Sequence, residues 1–210
     1  MEQGWIPPGR NCGACGYGTC EEFLDVVRLG YRKKEECPFF STSITMKYCT
    51  ECTDSRPDAI DILGNSFDFI LFPLPGECSA RKIILPFRPD IVERWDIKPG
   101  DILTGRPMGA GCPVQHVLTV LSASYVSGVI ITHVVGPVFS RGKEVKDLEA
   151  YHVIGFEGLA EIVRDEPVIG KRMKFLPAYC MMNLGHTGVV NQIISRKEKL
   201  QVRVEDIRIL

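Results

Sequence analysis

Lys98-Pro99-Gly100-Asp101-Ile102-Leu103-Thr104 sets the reading of the larger part of this chain: a turn built on Pro and Gly feeds a short apolar run. The same punctuation recurs on either side. Phe67 to Phe72 and Lys82 to Leu85 are mostly apolar runs fenced by Pro73, Pro75, Gly76 and Pro86. Further strands are expected over 116–121, 127–135, 151–156, 159–163, 172–176 and 200–209. The last alternates through Val202 and Val204 and again through Ile207 and Ile209. A short helix is expected over Pro89 to Trp95 and another near Thr187 to Ser195. Many short strands with Gly and Pro turns, and few helices, argue for a barrel or a small α+β domain.

The chain has 210 residues, 45% of them hydrophobic and 24% charged, enough to fold and too apolar to be disordered. Its formal net charge of −1 does not conceal two opposed halves. Residues 1–56 hold seven Lys and Arg against eight Asp and Glu, which leaves eighteen of each beyond. Nucleic-acid binding needs a basic footprint to neutralise phosphates, and none is visible. Met1-Glu2-Gln3-Gly4-Trp5 lacks the basic-then-apolar order of a secretory signal. The apolar stretch from Val126 to Phe139 is broken by Ser127, Gly128, Thr132, His133 and Gly136 and is too short for membrane insertion. A soluble, cytoplasmic protein is expected. Nine cysteines in a reducing compartment point to metal ligation rather than disulfides.

Four of those cysteines lie close to the start. Cys12, Cys15, Cys20 and Cys37 follow the spacing C-x2-C-x4-C-x16-C, with Gly13, Gly16 and Gly18 between the first three. Glycines let a backbone wrap closely and turn N–H groups toward thiolate sulfur. Glu21 and Glu22 suit a first helical turn, Phe23, Val26 and Val27 give it an apolar face, and Gly30 suits its C-terminal stop. Cys37-Pro38 closes the unit. Four thiolates serve a [4Fe–4S] cubane, a structural zinc or a [2Fe–2S] cluster. Zinc sites more often pair two C-x2-C knuckles, and the plant-type [2Fe–2S] order puts the short gap second, so the cubane fits best. The polar stretch Thr53-Asp54-Ser55-Arg56-Pro57-Asp58 marks a boundary. The expected class is therefore α+β: a small helical iron–sulfur domain over 1–56, then a mainly β, barrel-like domain over 57–210.

Pro8, the run Asn11-Cys12-Gly13-Ala14-Cys15-Gly16-Tyr17-Gly18-Thr19-Cys20, Phe23, Gly30 and Cys37-Pro38 resemble a small four-cysteine domain of anaerobic electron-transfer proteins. That domain occurs in the large subunit of the corrinoid iron–sulfur protein and in a subunit of Rnf-type electron-transport complexes. The resemblance implies a low-potential [4Fe–4S] cluster on these four cysteines. It covers about a fifth of the chain, and the remainder resembles neither the corrinoid-binding barrel nor the ferredoxin repeats that accompany the domain there.

Five cysteines remain. Cys49-x2-Cys52 reads as half a metal site, a redox pair or two linker thiols. Gly105 to His116 packs three glycines, Cys112 and His116 between two expected strands, as a ligand-approaching loop or a tight turn around a buried thiol. Tyr179 to Gly188 carries Cys180 and His186, which could join Cys112 and His116 around a second metal or line a pocket. Thr187 and Gly188 could instead cap a helix whose N-terminus holds a flavin phosphate or a substrate carboxylate. His133 and His152 read as structural. The leading expectation is an electron-transfer protein or subunit, serving a redox partner protein in low-potential anaerobic metabolism. The alternatives are a self-contained oxidoreductase with a second cofactor, and a cluster-based sensor or assembly factor.

Overall fold

In a computed structural model of the chain, the structure describes residues 5, 7, 15–37, 60–109, 112–178, 180, 182–196 and 199–210. Helix α1 (Cys20–Arg28) opens with Thr19 as its N-cap, in a reciprocal pair with Glu22. Gly30, at φ +78°, ends it. A 3-10 turn follows at Lys34–Glu36, and Cys37 caps it.

Nine strands come next: β1 (Phe69–Phe72), β2 (Arg81–Pro86), β3 (Ile102–Met108), β4 (His116–Ala123), β5 (Ile130–Val135), β6 (Lys146–Ile162), β7 (Arg172–Pro177), β8 (His186–Arg196) and β9 (Lys199–Ile209). A one-turn helix, α2 (Ile91–Arg94), separates β2 from β3, and a 3-10 turn, Pro137–Ser140, follows β5. The sheet runs β1-β7-β8-β9-β6-β2-β5-β4-β3, with β6 also paired to β1 and to β3. Those two extra pairings close it twice. One ring is β6-β2-β5-β4-β3 and the other β6-β9-β8-β7-β1, with β6 shared.

The shared strand has 17 residues, and its two halves face different neighbours. Lys146 to His152 pairs with β3 and Leu159 to Ile162 with β1. Each ring has its own core. Leu103, Leu118, Ile130 and Tyr151 fill the first, with Val92 and Ile97 from the α2 segment closing one end. Phe69, Phe156, Phe175, Val190 and Val204 fill the second. Closure leaves no long unpaired edge among the described strands.

The α+β class does not hold. Among the described residues α1 is the only helix longer than one turn, and the chain is mainly β. Within residues 15–37, Gly30 and the turn at Lys34–Glu36 end α1 and break the chain after it. The helix expected near Thr187 to Ser195 is strand β8, hydrogen-bonded to β7 and β9. Its β-branched residues Val189, Val190, Ile193 and Ile194 favour a pleated surface. Gly188 sits where the register with β9 shifts, and does not follow a helix cap. The runs expected at 151–156 and 159–163 are one continuous strand. The boundary placed at residues 53–58 lies outside the described residues. No helix among the described residues is long and apolar enough to cross a membrane.

Asp61 ties the entry to this sheet to its far end. It is 4% exposed, and its carboxylate accepts from the backbone N–H groups of Leu63 and Asn65 and, across the fold, from Gly185 at 2.9 Å. Burial alone would raise its pKa, but the Gly185 and Asn65 donors reverse this and hold the carboxyl below its ordinary value. Asp61→Asn should cost about 1–3 kcal/mol at neutral pH, read from urea midpoints. A depressed carboxyl stabilises the fold above its unfolded pKa, and that contribution disappears as pH falls through the folded value. The two proteins should therefore converge in acid; a constant gap at all pH values would remove the ionised carboxylate as the cause.

Candidate functional site

The cysteine unit is built around Phe23. This ring is 1% exposed, with Trp5 edge-on at 6.1 Å and Tyr17 tilted at 5.7 Å. Glu22 accepts from the N–H groups of both Gly18 and Thr19, which fixes the loop ahead of α1. Gly16 takes φ +92°, a conformation that side chains rarely adopt. Cys20 is the first residue of α1. Cys37 is buried at 7% exposure. Burial raises the Cys15 thiol above its ordinary value, while backbone N–H groups at Tyr17 and at Cys15 itself lower it and the nearby Cys20 raises it again. Backbone N–H groups are thus turned toward the Cys15 sulfur, though burial outweighs them.

The thiol donor set fits an iron–sulfur cluster in kind. Cys12, like Cys49 and Cys52, lies outside the described residues, and among those described no group of three or more His, Cys, Asp or Glu is arranged to hold a metal by itself. The unit touches the first barrel: a Cβ on Gly16 would lie 3.2 Å from Val138, in the turn after β5. Val135, at the end of β5, pairs with Val117 of β4. The cysteine loop therefore meets the barrel at the end where His116 begins β4.

A second cluster of reactive groups lies at the seam between the two barrels. Lys82 of β2 is paired with Phe156 of β6 on one side and Thr132 of β5 on the other. Its side chain is buried, 2% exposed, with the amine 5.3 Å from the Tyr151 ring centre and 5.5 Å from that of Phe156. The amine lies 2.8 Å from His116 Nδ1, and the Tyr151 hydroxyl is 3.0 Å from the same nitrogen. Cys112 Sγ is 3.8 Å from the other ring nitrogen, Nε2. Gly105 makes this possible. It pairs with His116 across β3 and β4, and a Cβ there would come within 3.0 Å of the Tyr151 ring.

Burial drives the electrostatics. It lowers the Lys82 amine to about 7, opposed by the thiols of Cys112 and Cys180. Burial and the Lys82 charge lower His116 to about 3, so the ring is neutral with one N–H. Burial also lowers His186 to about 4, opposed by its bond to the Leu184 carbonyl and reinforced by Lys82. Tyr151 is pushed well above its ordinary range by burial and stays protonated. His186 itself packs between the rings of Phe156 and Phe175, each 5.7 Å away.

The structure thus gathers Cys112, His116, Cys180 and His186 around one amine, and that centre is Lys82 rather than a metal group among the described residues. The anion site expected at a helix N-terminus near Thr187 has no helix to form it. Lys82 and Tyr151 escape a sequence reading. Both sit in apolar strand runs, and a register shift between Ile83 and Ile84 breaks the alternation that would have turned Lys82 inward on paper. His133 is held by Glu77 at 3.0 Å, which Arg81 also binds, and His152 packs against Phe87.

Residues 8–39 match the family model described as "Putative Fe-S cluster". Over 205 residues the chain is 34% identical to the "Uncharacterized protein MJ0119" of Methanocaldococcus jannaschii, covering 90% of this chain and 86% of that protein. No solved structure matches the chain.

Proposed function

The chain belongs to the family of the Methanocaldococcus jannaschii protein, and on that footing we propose that it is a [4Fe–4S] electron-transfer protein serving a partner oxidoreductase in low-potential anaerobic metabolism. The observation that carries the reading is the segment holding Cys12, Cys15, Cys20 and Cys37, which matches an iron–sulfur family model over residues 8–39. When bound, the cluster would take up and release electrons one at a time.

The chain's own residues do the rest. Cys20 opens α1 directly after the loop that carries Cys15. Backbone N–H groups at Tyr17 and Cys15 oppose the burial that raises the Cys15 thiol. Phe23, with Trp5 and Tyr17, keeps water from one side of the unit. The exposed Leu29 and Tyr31 beside it offer apolar surface to a redox partner.

The test is electron exchange. Protein purified without oxygen is titrated with reduced methyl viologen and followed by visible absorbance and EPR. Reversible bleaching with a cubane signal is the expected result. A chromophore that viologen does not reduce would count against electron transfer and favour a cluster that only stabilises the fold.

A further inference from the structure

We propose that Cys112, His116 and Lys82 form a second reactive centre, an acyl-accepting thiol in which Cys112 attacks an activated acyl carbon and Lys82 holds the thiol's proton. This goes beyond the electron-transfer reading and does not depend on it, because none of the three residues belongs to the cysteine unit. Nucleophilic thiols are recognised by a base within reach and a third group that orients the base. Cys112 is half-buried with His116 Nε2 3.8 Å from its sulfur. Lys82 and Tyr151 approach the opposite nitrogen at 2.8 and 3.0 Å and fix the ring plane.

The order of the three decides where the proton goes. A lone His116 would be a poor base, since burial and Lys82 both oppose a charged ring. With a neutral lysine behind it, the ring need not become charged. The Cys112 thiol gives its proton to Nε2 while Nδ1 gives its own to the Lys82 amine. The result is a thiolate, a neutral imidazole of the other tautomer and an ammonium. The thiolate sulfur then forms a bond to the acyl carbon, and the bond from that carbon to its leaving group breaks. The leaving group departs with the electron pair and recovers the proton from Lys82 through the ring. Cys112 carries the acyl group as a thioester, and every proton is accounted for.

Other groups facing Lys82 support this division of labour. Tyr151 stays protonated, His186 stays neutral with Nδ1 bound to the Leu184 carbonyl, and the Phe156 ring presents a π face. Cys180 is the remaining titratable neighbour, a second thiol able to share the ammonium. A buried amine within reach of an imidazole and beside thiols is a candidate for chemical use.

The probe is p-nitrophenyl acetate with the full chain, kept free of oxygen. p-Nitrophenolate release is followed by absorbance, and the acetyl group is located by peptide mass spectrometry. Acetylation is expected first on Cys112, with a rate that rises as pH passes about 7, where Lys82 becomes free to accept the proton. His116→Asn and Lys82→Met should each slow it on the order of a hundredfold, and Lys82→Met should also remove the rise near neutral pH. His116→Asn gives an independent reading if Lys82→Met does not fold. The proposal is overturned if acetyl spreads evenly over the cysteines, or if a folded variant of either residue keeps the wild-type rate and pH profile.

Discussion

Purified without oxygen, the protein should carry about four irons and four sulfides per chain, and Cys37→Ala should lose most of both. Cys37 is the sharpest choice because it closes the unit from a distance in sequence. It follows α1 and the 3-10 turn, and it is buried at 7% exposure. A small thiol-to-methyl change there opens little space, so a large loss would report a lost ligand rather than a collapsed core. Cluster binding and folding are coupled in small metal domains, and the apo unit should also become more susceptible to protease. Barrel strands, with their separate cores, should keep their protection. Zinc in place of iron would end the redox proposal, and full iron retention in Cys37→Ala would end the ligand assignment.

Gly158→Ala should be the most damaging single change in the barrels, with a loss of about 3 kcal/mol or more. A Cβ at this position would lie 2.2 Å from the Phe72 carbonyl oxygen and 3.2 Å from Leu71. Neither can retreat. Phe72 is held in register against Leu159 of the same strand, and Leu71 belongs to the core of the second barrel. The cost is steric, since the close approach is to backbone rather than to a movable side-chain end. Gly155 is constrained in the same way, with the Val204 carbonyl 2.4 Å from the position of its missing Cβ. The measurement is the urea midpoint of Gly158→Ala against wild type. A difference within about 0.5 kcal/mol would mean that β6 does not close the second barrel as described.

Legibility followed the range of the interactions. The helix after Thr19 and its stop at Gly30 were readable because capping and a left-handed glycine are local events within a few residues. The segment around β8 was misread for the opposite reason. Thr187 and Gly188 look like a cap only when their neighbours are ignored, and pairing with β7 and β9 decides the conformation. The overall class failed likewise: a cysteine unit with one helix suggests a helical domain, yet among the described residues α1 is the only helix longer than one turn. The segments at 105–116 and 180–188 stand out in the sequence by their clustered Gly, Cys and His residues. Their shared neighbour Lys82 does not, because it stands 23 or more residues from either segment in the chain.

By itself the sequence determined the thiol chemistry of the N-terminal unit. Cysteine type and spacing are carried by one short segment, and a family model recognises that segment directly. It also determined the strand-rich character of the rest, through β-branched runs cut by Gly and Pro. Only the tertiary structure decided that β6 would serve two barrels, and that glycines at 155 and 158 would let neighbouring backbone approach it there. The same crossing brought Lys82, His116, Cys112 and Tyr151 together. The Lys82–His116 and His116–Tyr151 contacts join residues 34 and 35 apart along the chain, so they depend on ring closure and register, which local propensity does not encode.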